Sequence, residues 1–123
     1  MTGSRVDFRL YLITDRKVLS SHFSLLSSVE EALKGGVKAV QLREKDLGTR
    51  ELLDMAYKMR EITNKYKTKL FINDRVDIAL SVEADGVHLG QKSIPPHAVR
   101  KAVNASRITH HASRFLIGVS AHS

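Results

Sequence analysis

Cysteine is absent from the 123 residues, which excludes disulfides, thiolate nucleophiles and thiolate metal ligands. A reducing compartment, the cytoplasm, is the expectation. Tryptophan is absent too, so three tyrosines and four phenylalanines are the only aromatic side chains. Two prolines and seven glycines leave no room for a disordered linker. No apolar run approaches the ~20 residues that a membrane-spanning helix needs. The opening Met-Thr-Gly-Ser-Arg lacks the apolar centre of a signal peptide.

What is present is a hydrophobic content of 42%, a charged content of 27% and a formal charge of +7. The first two values fit a globular protein. The third favours anionic partners. The basic residues are scattered at helical spacing rather than gathered in one run, which points to a phosphorylated small molecule before nucleic acid. Residues 1–123 are expected to form one domain, or part of one, since a complete (β/α)₈ barrel typically takes ~250 residues.

Periodicity along the chain alternates between two and 3.6. Arg9–Thr14 is a compact apolar run and reads as a buried strand. From Ser24 to about Lys34, Leu25, Leu26, Val29, Ala32 and Leu33 share a helical stripe that Gly35-Gly36 stops. Val37–Leu42 is a second strand. Thr49 is placed to cap a long helix whose inner face holds Leu52, Leu53, Ala56, Met59 and Thr63.

Lys69–Ile72 is a third strand, after which Asp74 and Asp77 resemble a capping box for a helix burying Val76, Ala79 and Leu80. Asp85–Leu89 is a fourth strand. Pro95-Pro96 open a helix running to about Val103, and Asn104–Ser113 is loop-like. Phe115–Ser120 is a fifth strand. Strictly alternating strands and helices imply a parallel α/β sheet. A doubly wound sheet suits the length but lacks a helix after Ser120; the pattern fits better the first five strands and four helices of a TIM barrel.

Ligands of such folds sit at the C-terminal ends of the strands, so those ends carry the chemistry. Strand two delivers Gln41, Arg43 and Lys45, spaced two apart; a planar guanidinium with a mobile ammonium suits phosphate. Strand three delivers Asn73 and Asp74, an amide and a hard oxygen ligand for Mg²⁺. Strand four delivers His88 and Gln91, and strand five Ser120 and His122. Each has a plainer reading as a turn pair, a helix cap or a core histidine. The pair His110-His111 has no cysteine or spaced third ligand and reads as solvated loop. Four strand ends turning polar at one rim is what argues for a site that binds a polyanion.

Tyr11–Asp15 (YLITD), Val40–Asp46 (VQLREKD), Asn73–Leu80 (NDRVDIAL), Ala84–Gln91 (ADGVHLGQ) and Ile117–Ser123 (IGVSAHS) together resemble the family of thiamine phosphate synthases and thiazole tautomerases. The resemblance implies a (β/α)₈ barrel, here truncated to a partial barrel. It implies a transferase coupling hydroxymethylpyrimidine diphosphate to thiazole phosphate with release of pyrophosphate. By resemblance Gln41 meets the pyrimidine, while Arg43, Lys45, Asn73 and Ser120 hold diphosphate oxygens. Asp74 matches one of two magnesium aspartates. The implied partners are the phosphorylated pyrimidine and thiazole, with neither nucleic acid nor membrane.

Two departures qualify that expectation. Where synthases usually carry two acidic residues after His88-Leu89-Gly90-Gln91, this chain has Lys92-Ser93, so Ser93 stands in place of the second magnesium aspartate. Tautomerases of the family also lack it; in that alternative His122 would shuttle a proton without metal. The later glycine-rich barrel half is also missing, which predicts exposed edges and either a homo-oligomer or a fragment of a longer chain. A non-catalytic phosphate-binding half-barrel is the third reading.

Overall fold

A computed structural model describes residues 11–14, 22–105 and 114–120. Strands and helices alternate through them: β1 (Tyr11–Ile13), α1 (His22–Lys34), β2 (Ala39–Leu42), α2 (Thr49–Lys65), β3 (Lys69–Asn73), α3 (Val76–Ser81), β4 (Gly86–Leu89), α4 (Pro96–Ala105) and β5 (Leu116–Val119). All four strand pairings are parallel, and the strands lie in the order β1-β2-β3-β4-β5.

That order decides between the two sheets the alternation allowed. A doubly wound sheet reverses its strand order partway across. This one never reverses, and right-handed crossovers without reversal place every helix on one face. Val40, Leu42, Leu70, Ile72, Val87 and Leu89 point to that face and are fully or almost fully buried. Leu25, Val29 and Leu33 of α1, the inner face of α2, Ile78 and Ala79 of α3, and Val99 and Val103 of α4 complete the core.

The opposite face carries Gln41, Phe71 and Leu116 in one row with Ile13, and His88 with Asn73 and Gly118 in the next. Among the described residues this sheet is open, with β1 and β5 as its two edges. The α/β arrangement with five parallel strands and four helices is as expected; barrel closure is not present among those residues. Ile13 and Leu116 on the inner face remain 49% and 42% exposed.

Several local expectations are corrected. Gly48, not Thr49, occupies the cap position of α2, and no side chain caps that end. Thr49 is already helical, and its hydroxyl accepts from Arg75 Nη2 at 3.3 Å. Asp74 does not cap α3; Arg75 holds that position without a side-chain cap bond. Asp77 closes no capping box because Arg75 takes both its oxygens, at 3.0 and 2.8 Å. Met55 joins the buried face of α2 in place of Leu53, which is only half buried. β3 runs one residue further, to Asn73, and α4 two further than Val103, to Ala105.

Candidate functional site

A cavity of about 530 Å³ opens beyond the C-terminal ends of β2, β3, β4 and β5. The segment after β2 supplies Arg43, Glu44 and Lys45; the end of β3 supplies Asn73, Asp74 and Arg75. The turn after β4 supplies Gly90, Gln91, Lys92 and Ser93, and β5 ends in Ser120 at the same rim. Parallel strands deliver these groups together because all their C-terminal ends emerge on one side.

Backbone hydrogen bonds hold the rim in place. Arg43 N–H donates to Thr14 Oγ1 at 3.0 Å, tying the segment after β2 to the end of β1. Ser120 N–H donates to the Leu89 carbonyl at 3.0 Å. Asp74 N–H donates to the His88 carbonyl at 2.7 Å, and Arg75 N–H donates to the Asn73 carbonyl at 2.7 Å. The second bond closes a three-residue turn around Asp74, whose φ is +66°. A left-handed conformation costs a non-glycine residue ~1 kcal/mol or more, with Asp and Asn among the most tolerant types. The turn presents the exposed Asp74 carboxylate at the cavity.

Of the residues expected at the site, Arg43, Lys45, Asn73, Asp74 and Ser120 line this cavity. Gln41 does not. It is 2% exposed and lies one layer lower on the inner face, where its Nε2 donates to Tyr11 Oη at 2.8 Å. Burial raises the Tyr11 phenol above its usual range, opposed in part by that hydrogen bond. Tyr11 in turn meets Phe71 edge-to-face, with ring centroids 6.1 Å apart. The β2 strand ends at Leu42, so Arg43 and Lys45 reach the cavity from a turn rather than from one strand face. His122, Asp15, His110 and His111 lie outside the described residues.

Leu42, Glu44, Leu47, Leu52, Arg75 and Gly90 also line the cavity without having been singled out as ligands from the sequence. Leu42, Glu44, Arg75 and Gly90 stand inside the motifs quoted above, which was the available signal. Arg75 is spoken for by Asp77, whose hydrogen bonds raise its pKa further. Besides Arg75, the cations of the lining are Arg43, Lys45 and Lys92, with Asn73 and Ser120 as neutral hydrogen-bonding groups and Glu44 and Asp74 as carboxylates. His88 stands beside them, its Nε2 3.0 Å from Ser120 Oγ. Burial, and then the charge of Arg43, push its pKa below the usual histidine value.

The donor set bears on magnesium. Among the described residues no three His, Asp or Glu side chains gather as a metal cluster would require. Ser93, at the position of the expected second aspartate, is engaged locally: its Oγ accepts from Gly90 N–H at 2.9 Å. Lys92 beside it adds a positive charge. These residues do not build a cage that would hold Mg²⁺ alone. They do fit an ion that arrives with a diphosphate, because Mg²⁺ is commonly held by one or two carboxylates plus substrate phosphates, and Asp74 supplies one.

Comparison with known proteins follows the same residues. A family model described as thiamine monophosphate synthase matches residues 10–123. The thiamine-phosphate synthase of Clostridium acetobutylicum is 50% identical over 118 residues, covering 96% of this chain and 52% of that protein. A putative thiamine-phosphate synthase 2 of Aquifex aeolicus is 52% identical over 115 residues, or 94% of this chain and 56% of its own. The solved thiamine phosphate pyrophosphorylase from Pyrococcus furiosus superposes with a TM-score of 0.77 at 36% identity, covering 96% of this chain and 53% of that one. The chain therefore spans about half the length of the relatives it matches. With the family's model matched from strand β1 to the last residue, the chain belongs to the thiamine monophosphate synthase family.

Proposed function

We propose that this chain supplies the diphosphate-holding part of a thiamine phosphate synthase. The substrates would be hydroxymethylpyrimidine diphosphate and thiazole phosphate, and the product thiamine phosphate with release of pyrophosphate. The observation that carries the reading is the cavity at the strand ends, where Arg43, Lys45 and Lys92 converge with Asn73 and Ser120. Its relatives are named for this reaction, and none of those quoted is named as a tautomerase, so the thiazole tautomerase alternative is not favoured.

In the reaction the bond between the pyrimidine methylene and the diphosphate oxygen breaks, and the thiazole nitrogen forms a new bond to that methylene. Negative charge grows on the departing diphosphate. Preorganised cations aimed at that charge stabilise the transition state more than the ground state, which is what accelerates the step. Arg43 would bind the leaving group as a planar fork and Lys45 and Lys92 as point charges. Asn73 and Ser120 would orient it. Mg²⁺, when bound with the diphosphate at Asp74, would neutralise leaving-group charge.

Gln41, buried on Tyr11, would form the floor beneath the pyrimidine rather than the rim. We place residues 1–123 as the N-terminal portion of one (β/α)₈ domain, working in the cytoplasm. Its open edges would be covered by the rest of that barrel or by a second copy. No helix among the described residues is long and apolar enough to cross a membrane.

Calorimetry with inorganic pyrophosphate tests the reading. The chain should bind it, and Arg43→Ala and Lys45→Ala should each weaken binding by about tenfold or more, as loss of a charge-assisted hydrogen bond implies. Binding that is indifferent to both substitutions would sink the reading.

A further inference from the structure

Among the described residues Ser120 is the hydroxyl that the end of β5 brings to the cavity, and a hydroxyl is useful to an anion only if its single proton points the right way. We infer that His88 is the residue that sets this direction: its Nε2–H donates to Ser120 Oγ and leaves the serine proton free to point into the cavity. The inference rests on the phosphate-holding reading above and deepens it by adding a positioning residue behind Ser120.

The argument is geometric. His88 pairs with Gly118 in the β4–β5 register, so the imidazole lies against a position with no side chain. Ser120 is two residues further along the same chain, on the same side. The ring crosses that gap, and its Nε2 reaches Ser120 Oγ at 3.0 Å. Ser120 is itself anchored through its N–H on the Leu89 carbonyl. Both partners of the hydrogen bond are thus placed by neighbouring strands.

The protonated nitrogen follows from the other side of the ring. A Cβ built on Gly118 would lie 3.0 Å from Nδ1 but 3.8 Å from Cε1 and 3.9 Å from Cγ. The short distance to Nδ1 and the longer ones to its two ring neighbours show that Nδ1 is the ring atom turned toward Gly118. Among the described residues the hydrogen bond that His88 makes runs through Nε2, and Nδ1 makes none. A proton on Nδ1 would meet no acceptor among the described residues, whereas a proton on Nε2 has Ser120 Oγ within hydrogen-bond reach at 3.0 Å. A neutral imidazole carries one N–H, so it belongs on Nε2. With one serine lone pair taken, the Ser120 O–H turns to the cavity and can donate to a diphosphate oxygen, a bond strengthened by the anion's charge.

Gly118 is part of the device. A methyl group there would stand 3.0 Å from Nδ1, tighter than ordinary contact, so the ring would have to shift by a few tenths of an ångström.

The test has two arms on the chain itself. In the first, two-bond imidazole ¹H–¹⁵N spectra are recorded at pH 7.5 without ligand, with the His88 signals assigned by their loss in His88→Gln. A protonated Nε2 with a bare Nδ1 is expected, and Gly118→Ala should abolish that clean preference. A protonated Nδ1 would overturn the inference, since Ser120 would then be spending its proton on His88.

In the second arm pyrophosphate affinity is measured in a double-mutant cycle. Ser120→Ala and His88→Leu should each cost about tenfold, and the double variant no more than either, because both remove one unit. His88→Gln, which keeps an N–H, should restore most of the loss. Independent, additive losses would overturn the inference. If the unaltered chain binds no pyrophosphate, the phosphate-holding reading fails, while the spectra still decide the His88–Ser120 pairing.

Discussion

Arg60 in the middle of α2 and Asp85 just before β4 meet at 3.0 Å at the end of the strands opposite the cavity. The Asp85 carboxylate also accepts from Leu70 N–H at 2.8 Å, and the guanidinium donates to the carbonyls of Glu83 and Thr68. One ion pair therefore ties a helix to the entering ends of β3 and β4. Arg60 Nε, buried without a partner, is the one cost of the arrangement among the described residues.

This pair is expected to matter for stability and not for binding. Arg60→Ala should lower unfolding free energy by about 2–3 kcal/mol, because it strands a half-buried carboxylate and two carbonyls. Asp85→Asn should cost less, since an amide oxygen can still accept from Leu70. Urea denaturation reads the difference, and pyrophosphate affinity should be unchanged in both.

Gln41 separates structure from binding at the other face. Gln41→Leu should destabilise the fold by about 1 kcal/mol, the usual size of a lost internal hydrogen bond, by leaving the half-buried Tyr11 hydroxyl without its donor. Inorganic pyrophosphate should bind it as before, because Gln41 lies below the cavity. A large loss of pyrophosphate affinity with stability intact would show instead that Gln41 acts at the rim.

His88 makes stability depend on pH. Its folded-state pKa is lowered by burial and by Arg43, so the unfolded chain takes up a proton more readily. The sign follows: the contribution is fully present above the unfolded value near 6.5 and is lost as pH falls through the lower folded value. The urea midpoint should drop between pH 7.5 and pH 5.5, and drop less in His88→Gln. Equal pH dependence in the two proteins would assign the effect elsewhere.

Exposed apolar side chains on the open sheet should drive association. Ile13 stands on one edge strand and Leu116 on the other, 49% and 42% exposed, beside backbone groups with no neighbouring strand among the described residues. Sedimentation of the isolated chain should show dimers or larger species. The double substitution Ile13→Lys, Leu116→Lys should shift the population to monomer. A compact monomer before substitution would refute this.

Residues near each other in sequence carried much of the outcome. The alternation of periods two and 3.6 was enough to place all five strands and four helices, because those patterns depend on which face of one element is buried. The strand-end motifs, read together, already assembled Arg43, Lys45, Asn73, Asp74 and Ser120 at one rim, since parallel strands must bring those ends together. The family resemblance was carried by the same stretches.

Other features depended on which partners the fold supplies, near or far in the chain. Asp77 looks like a capping residue until Arg75 claims both its oxygens, and Thr49 until the cap position falls on Gly48. Gln41 looks like a rim ligand until Tyr11, thirty residues earlier, holds it in the floor. The unreversed strand order, the open edges and the His88 ring lying in the gap at Gly118 depend on register between strands. Cross-strand register is set by packing of the whole sheet, and no local pattern encodes it. The sequence by itself thus determined which groups reach the site; the tertiary structure decided which of them face the cavity and which stand behind it.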